Sequence, residues 1–421
     1  MRAVVEYPQR IAMISMHTSP LATPGLGDAG GLNVYVAEVS RRLGERGLQV
    51  DVYTRREDPQ ADPVVEVGEH IRVLQVPVGP PEVLPKEVLP SLVADFADHL
   101  RPRMRAYDLV HSHYWLSGLV GLETAKSSGL PLVHTMHTMA RVKNAARTHD
   151  ERVEPAVREQ GEARIVRGAD ALTANTTDER AELVSHYGAL AEQVVVVPPG
   201  VDLHTFHPCD QPKSRAQVGV AQDAQVILFV GRIQPLKAPD VLIRAVAELA
   251  TNEPHRRDQL RLIIIGSPSG PEAGWSASLA PLAAELGVAD LVELRPHSPR
   301  ADLFRWYCAS DVVGVPSHNE SFGLVALEAQ ACGRPVVATD VGGLRHAVQD
   351  GHTGLLVGDH VPGSWAEALR ELLDDPLGRS WMGANAAGHA SRFSWDNTAA
   401  ATLQAYRAAA AHATARPASV A

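Results

Sequence analysis

Residues 317–335, SHNESFGLVALEAQACGRP, set two glutamates, Glu320 and Glu328, eight positions apart between an apolar run and a helical pattern. DVVGVP at 311–316 predicts a strand, and Leu324, Val325 and Leu327 predict a helix after it. Glu320 then stands at a helix N-terminus, where free N–H groups and the dipole favour anionic groups. Glu328 lies further in; at about 1.5 Å rise per residue the carboxylates sit roughly 12 Å apart along the axis. Carboxylate pairs that cleave a glycosidic bond stand about 5–9.5 Å apart, so this pair suits two grips on one long ligand. Two solvated helix glutamates are the plain alternative.

Arg232 and Lys237 follow another apolar run, QVILFVGR. An arginine fork and a lysine point charge at a strand end would neutralise a diphosphate. A third set ends the expected strands of the first half: His111, His113 and Tyr114, then His134, His137 and Thr138, then Asn175. In an open α/β sheet such strand ends face one ligand crevice. The His-x-His and His-x-x-His spacings also admit zinc, although no ordered carboxylate or cysteine set accompanies them. His111 and His134 read otherwise as core histidines bonded to backbone. Lys86 and Arg158, taken singly, read as surface cations.

These groups need a scaffold that carries strand ends to common edges. RIAMISMH at 10–17, the loop TSPLATPGLGDAGGLN, a helix with Val36, Val39 and Leu43 on one face, and QVDVYT form a βαβ unit. The loop brings Asp28, Gly30 and Gly31 to the helix start, where glycine either admits a ligand to the backbone or makes a tight turn. It lacks the G-x-G-x-x-G fingerprint, which argues against a dinucleotide enzyme. After a proline-rich hinge at 198–208 the alternation of strand and helix restarts without a shared repeat. The expected domains are therefore a Rossmann-like 1–207, a second Rossmann-like 208–394, a helix 395–412 packing back on the first, and a disordered tail 413–421. Within the second, RPVVATDVGGLRHAVQDGHTGLLV predicts a glycine-rich turn and a hairpin-like edge.

At 421 residues, 45% hydrophobic and 21% charged, the chain has the make-up of an ordinary globular enzyme of two or three domains. A net charge of −10 argues against a nucleic-acid partner and requires any phosphate site to be locally basic. Cys209, Cys308 and Cys332 cannot all pair and share no metal spacing, which suits a reducing compartment. No apolar stretch nears the roughly 18 residues of a membrane span, and no signal-peptide pattern opens the chain. A cytoplasmic protein without membrane insertion is expected.

The motifs VGRIQPLK, SHNESFGLVALEAQACGRPVVAT, VGG and GHTGLLV resemble those of the family 4 retaining glycosyltransferases, and the likeness covers nearly the whole chain. The resemblance implies the α/β GT-B fold, two Rossmann-like domains facing a cleft. RIAMISMHTSP, GDAGGLNVYV, HSHYWLSG, HTMHTMARVKN and VGRIQPLKAP resemble one branch of that family. That branch moves N-acetylglucosamine from UDP-N-acetylglucosamine to 1D-myo-inositol 3-phosphate and releases UDP, at the start of mycothiol synthesis. By the same resemblance Arg232 and Lys237 hold the diphosphate, Glu328 the ribose hydroxyls and Glu320 the donor sugar. His17 and Gly31 lie beside the donor, and the backbone at His137 lies beside the positive sugar. Asp28, Ala29, Gly30, Gly31, Leu32 and Asn33 form a loop over donor and acceptor, and Lys86, Tyr114, Thr138 and Arg158 surround the acceptor phosphate.

The resemblance further implies a homodimer, no cofactor for the chemistry, and a structural Mg²⁺ held by carbonyls near Tyr307, Cys308, Ser310 and Arg334. Three positions depart from the family pattern: Ala238 stands for the usual glycine after the lysine, Cys332 for a small helix residue, and HSPRADL for a basic-proline turn. Two other readings stay open. One is a sucrose-phosphate-synthase-like transferase with a different sugar-phosphate acceptor. The other is a non-catalytic nucleotide-sugar binding module, which the intact Arg232, Lys237, Glu320 and Glu328 oppose.

Overall fold

A computed structural model describes residues 8–25, 29–145, 153–268 and 273–415, which form two units. The first unit is Met1–Pro24, Gly31–Pro198 and Trp395–Ala421; the second is Gly25–Gly30 and Pro199–Ser394. The chain thus changes unit at Pro198 rather than after 207, and the expected acceptor loop divides at Gly30.

The first sheet holds β1 (Arg10–Ile14), β2 (Gln49–Arg55), β3 (Val64–Gly68), β4 (Ile71–Val76), β5 (Leu109–His113), β6 (Leu132–Thr135), β7 (Ala171–Ala174) and β8 (Val194–Val196). Their order is β3-β4-β2-β1-β5-β6-β7-β8. Pairing is parallel throughout except between β3 and β4. β1, β5, β6 and β7 are unbroken in burial apart from Arg10, as expected of parallel strands covered on both faces. The antiparallel β3 escaped the sequence reading because it is a short, mostly exposed edge with Glu66 inside it. Strand order reverses at β1 and β5, so the loops after those two strands part there, at the place where doubly wound sheets bind ligands.

The second sheet holds β9 (Gln225–Val230), β10 (Leu260–Ile265), β11 (Val292–Arg295), β12 (Val312–Val315), β13 (Val336–Thr339) and β14 (Gly354–Val357), in the order β11-β10-β9-β12-β13-β14. All five pairings are parallel. The hairpin-like edge expected at 334–357 is therefore wrong. The connection between β13 and β14 includes the helical turn Leu344–Ala347 and returns as a crossover, which parallel pairing requires. Here the order reverses at β9 and β12.

The last helix, Trp395–Ala415, belongs to the first unit and runs beyond the expected end at 412. Ala399, Ala405 and Ala409 are fully buried, because small side chains let this helix lie close against its neighbours. Trp395 meets Tyr35 edge-on at 5.8 Å, and the Tyr406 hydroxyl lies 2.9 Å from His111 Nδ1. The expectation of a disordered tail falls, for residues 416–421, outside the described residues. The cysteines also differ from expectation: Cys209 and Cys308 form a disulfide, and Cys332 is free and buried. Among the described residues no helix is long and apolar enough to cross a membrane.

Candidate active site

In the first unit the candidate residues gather behind β1, β5 and β6. His17 follows β1 and stacks on Tyr114, which follows β5, with ring centroids 4.3 Å apart. Tyr114 takes a left-handed backbone (φ 71°) as the first residue of the helix Tyr114–Ser128, and His137 does the same beyond β6 (φ 61°). Bulky side chains with positive φ carry strain of order 1–3 kcal/mol, which clusters where geometry serves function.

Arg158, in the helix Ala156–Gly168, is buried and not the surface cation its sequence context suggested. Its Nη2 donates to the Thr138 hydroxyl (2.9 Å) and carbonyl (3.1 Å), and its guanidinium carbon lies 5.0 Å from the Tyr114 ring centroid. Nε donates to Glu162 at 2.7 Å and Nη1 to Glu154 at 2.8 Å. The sequence reading missed both carboxylates, although Glu154, Arg158 and Glu162 follow one another at the four-residue spacing that aligns side chains on a helix face. Glu162 is fully buried and also accepts from the Ala140 N–H at 2.9 Å and from the Tyr187 hydroxyl. Lys143 pairs with Glu154. The exposed Lys86 is near enough, with Arg158, to act electrostatically on His17. Tyr114, Thr138 and Arg158 are thus brought together, with His17 against Tyr114.

Asn33 is buried and donates to the Ser19 carbonyl at 2.7 Å, tying the loop after β1 to the helix Gly31–Gly44. Gly31 and Leu32 open that helix, Ala29 is buried, and Asp28 lies outside the described residues.

The other histidines of the strand ends are core groups, held by side-chain hydroxyls, by one another and, for His134, also by the Ser112 backbone. His111 bonds Thr135 and Tyr406 (both 2.9 Å), and His134 bonds Ser112 at 2.8 Å. His113 Nδ1 lies 3.0 Å from His137 Nε2, so one ring must donate to the other. Burial lowers His17, His134 and His137 to about 3 and holds His111 and His113 well below the ordinary imidazole range. Among the described residues no group of three His, Cys, Asp or Glu is placed to hold a metal ion.

A pH dependence follows from the fully buried imidazoles. On unfolding, His111, His113 and His134 return toward about 6.5 and take up protons. Their contribution is present above that value and is lost as pH falls toward the folded values. Glu179 opposes them: burial raises its carboxyl to about 7, so its contribution is present below 4.5 and lost as pH rises through 7. These three deep shifts outweigh Glu179 and the smaller rises that burial gives Glu182 and Glu328, so the melting temperature should fall between pH 7.5 and pH 5 by roughly 10 °C, on the scale of a few kcal/mol. A melting curve that is flat or rises on acidification contradicts this.

In the second unit the residues stand where β9 and β12 part. Arg232 follows β9 and, among the described residues, makes no hydrogen bond or ion pair; a Cβ on Gly30 would lie 3.7 Å from its Nε. Lys237 closes the short turn Pro235–Lys237 and pairs with Glu320, which follows β12. Ala238, the departure from glycine, is buried and adopts φ 47°, a conformation glycine takes at lower cost. The helix begins only at Leu324, so Glu320 sits in the loop before it and the rise-based separation from Glu328 does not apply. The glycines of VGG support this loop. Gly343 N–H donates to the Glu320 carbonyl at 2.9 Å, and a Cβ there would stand 2.3 Å from Phe322 Cα. No side chain fits at that position.

Glu328, in the helix Leu324–Ala331, accepts from the Tyr307 hydroxyl at 2.9 Å and from Arg300 at 3.4 Å. Burial raises its carboxyl, while Arg300 and the Tyr307 bond pull the other way. Arg300 had not been singled out by the sequence, and Tyr307 only for its carbonyl.

Two of the carbonyls proposed for Mg²⁺ already accept hydrogen bonds. The Tyr307 carbonyl accepts from the Ser310 hydroxyl (2.8 Å), and the Ser310 carbonyl from Gln211 (2.8 Å). Around Asp311 stand Arg215 at 2.7 Å and Arg379 at 3.3 Å, and the half-buried Arg334 feels the same carboxylate. Three guanidinium groups thus gather about one carboxylate, and no step is routed through a metal ion.

Two family profiles match the chain: glycosyltransferase family 4 over residues 29–205, and glycosyl transferases group 1 over residues 210–389. A D-inositol 3-phosphate glycosyltransferase of Kineococcus radiotolerans is 55% identical over 415 residues, covering 95% of each chain. One of the same name from Thermobispora bispora is 49% identical over 403 residues, covering 94% of each. Among solved structures, sucrose-phosphate synthase from Thermosynechococcus elongatus superposes with a TM-score of 0.87 at 32% identity, covering 95% of this chain and 98% of that one. Anabaena HepE, solved with UDP and glucose, superposes at 0.73 with 21% identity, covering 94% and 98%, a likeness of fold alone. With two switch-point sheets, a lysine–glutamate pair at one of them, and relatives this similar along nearly its full length, the chain belongs to the family 4 glycosyltransferases of GT-B fold.

Proposed function

We propose that this protein transfers N-acetylglucosamine from UDP-N-acetylglucosamine to 1D-myo-inositol 3-phosphate with retention at the anomeric carbon, releasing UDP and opening mycothiol synthesis. The observation that carries the acceptor choice is the name shared by relatives 49–55% identical to this chain. The geometry of the first unit supports it through the Arg158, Thr138 and Tyr114 cluster with Lys86 nearby, an arrangement suited to a phosphate oxygen. Sucrose-phosphate synthase, the second reading, is less similar at 32% identity.

On this reading Arg232 donates to the diphosphate, and Lys237 stands beside it, held by Glu320. Both meet negative charge as the sugar–phosphate bond lengthens, which is the main electrostatic contribution. Glu320 accepts from hydroxyls of the donor sugar. Glu328, fixed by Tyr307 and Arg300, accepts from the ribose hydroxyls. The acceptor hydroxyl attacks from the face that UDP leaves, and its proton passes to a departing phosphate oxygen, so no protein base is required. His17 and His137, neutral at working pH, act as hydrogen-bonding groups rather than cations. The His137 carbonyl lies beside the developing positive charge on the sugar. The same reading carries a cytoplasmic location and a homodimer.

The test is UDP release by purified protein over a panel of UDP-sugars and sugar phosphates, with and without EDTA. Turnover should be greatest with UDP-N-acetylglucosamine and the inositol phosphate, and EDTA should leave it unchanged, because protein cations meet the charge on UDP. Loss of activity in EDTA that Mg²⁺ restores contradicts the metal-free route. Preference for a fructose phosphate acceptor overturns the acceptor.

A further inference from the structure

We infer that the Cys209–Cys308 disulfide is a reversible thiol-exchange site through which a low-molecular-weight thiol sets the affinity of the second unit for its nucleotide. The inference rests on the reading above that Glu328 holds the ribose. The disulfide bridges a sequence separation of 99, with Cα atoms 6.0 Å apart, and joins the stretch after Pro199 to the helix Arg300–Ala309. That helix carries both side chains that fix Glu328, namely Arg300 and Tyr307, and Cys308 follows Tyr307 directly. The stretch bearing Cys209 reaches the same two side chains through Phe206. Its ring meets Tyr307 edge-on at 5.7 Å, and the Arg300 guanidinium lies over it at 5.3 Å. From the other side, the free Cys332 places its carbonyl oxygen 3.7 Å from Cys209 Sγ, and its N–H donates to the Glu328 carbonyl at 3.2 Å. All three cysteines therefore border the elements that orient one carboxylate.

Access decides which sulfur reacts. Cys308 is fully buried, whereas Cys209 is half-buried between exposed Pro208 and Asp210. The thiolate of a small thiol attacks Cys209 Sγ. The S–S bond breaks, its electron pair leaves on Cys308 Sγ, and that sulfur takes the proton the small thiol gave up. A second thiol attacks the mixed disulfide at its own sulfur, giving the Cys209 thiol and the oxidised small disulfide. In sum the protein disulfide gains two electrons and two protons, and two small thiols lose them. Once the bond opens, the stretch keeps its packing on Tyr307, the Arg300 contact and the Gln211 and Arg215 bonds to the Ala309 carbonyl, but the covalent brace beside Tyr307 is lost and the Tyr307 and Arg300 contacts to Glu328 loosen. Nucleotide affinity then falls, by roughly 5-fold or more for a coupling of ordinary size.

The test uses the full chain and UDP itself, which needs neither acceptor nor turnover. Calorimetric Kd for UDP is measured on diamide-oxidised protein, on protein reduced with 2-mercaptoethanol, and on Cys209→Ser under both treatments. Alkylation and mass analysis report the state of each thiol. The expected result is a weaker Kd on reduction, a Cys209→Ser variant that matches the reduced protein in both treatments, and a 2-mercaptoethanol adduct on Cys209 in the intermediate. Equal Kd in the two states, with a lowered melting temperature on reduction, marks a structural staple and overturns the inference alone. Absence of the Cys209–Cys308 linkage after oxidation also overturns it. If UDP binds in neither state, the donor-site reading fails and takes the inference with it.

Discussion

Replacing Arg232 with alanine should lower kcat by about 10²–10³-fold, the usual loss when one donor that meets transition-state charge is removed. The effect should be confined to catalysis. Arg232 makes no hydrogen bond or ion pair among the described residues and is only half-buried, so its removal leaves no buried partner without a mate. A melting temperature within about 1–2 °C of the parent is expected, since surface-type changes stay within roughly ±0.5 kcal/mol. Lysine should rescue weakly, because a point charge does not reproduce the guanidinium fork. Parental turnover in Arg232→Ala would remove this residue from the diphosphate.

Glu162→Ala should have the largest effect on stability. The residue is fully buried and accepts from Arg158 Nε at 2.7 Å, from Ala140 N–H at 2.9 Å and from Tyr187. Its loss strands the Ala140 N–H and the Tyr187 hydroxyl and leaves Arg158 with Glu154 alone, so the cost should lie near the lower end of the about 3–5 kcal/mol seen when a buried pair is broken. For the first unit that corresponds to a fall of roughly 10 °C in melting temperature. Glu162→Gln keeps the acceptor oxygen and should recover part of the loss. In the surviving folded protein KM for the acceptor should rise, since Arg158 loses the bond that orients it toward Thr138, while Kd for UDP stays at the parental value. An unchanged melting curve in Glu162→Ala would show that Arg158 does not depend on this carboxylate.

The placement of Arg232, Lys237 and Glu320 was legible in the sequence because these groups lie close along the chain to the strands that carry them. Arg232 follows β9, Glu320 follows β12, and those strands are adjacent in the sheet. Strand periodicity and the positions of polar groups at strand ends therefore bring these side chains to one sheet edge. The glycine pair at 342–343 is visible as a motif, but its reason lies in the packing: a backbone passing beneath Glu320 and Phe322 leaves no trace in composition.

The partners of the named residues were harder to see. Tyr307 and Arg300 reach Glu328 from a different helix, and Tyr406 reaches His111 across 295 residues of chain. Pairings of that kind depend on how layers pack, which no local pattern states. Arg158 is the instructive case. Its spacing to Glu154 and Glu162 was visible, yet a Glu–Arg–Glu run at intervals of four usually marks an exposed helix face. Burial of that face inverted its meaning. The Cys209–Cys308 pair was hidden for the same reason: an odd cysteine count says nothing about which two sulfurs the fold brings together.

Burial of Arg158 between two carboxylates also bears on acceptor selectivity. Glu154 and Glu162 already meet much of its charge, so an acceptor without phosphate does not strand two bare cations. Lys86, exposed, and the remaining Nη1 hydrogen of Arg158 are what the phosphate gains. The discrimination should therefore sit near the lower end for charge-assisted bonds, about 1.5 kcal/mol, or roughly 10-fold in kcat/KM. The most direct measurement is kcat/KM for 1D-myo-inositol 3-phosphate against unphosphorylated myo-inositol, at saturating UDP-N-acetylglucosamine. A preference of at least about 10-fold for the phosphorylated acceptor, shrinking in Lys86→Ala, is the predicted result. Equal use of the two acceptors by the parent protein would contradict the phosphate site and with it the assigned acceptor.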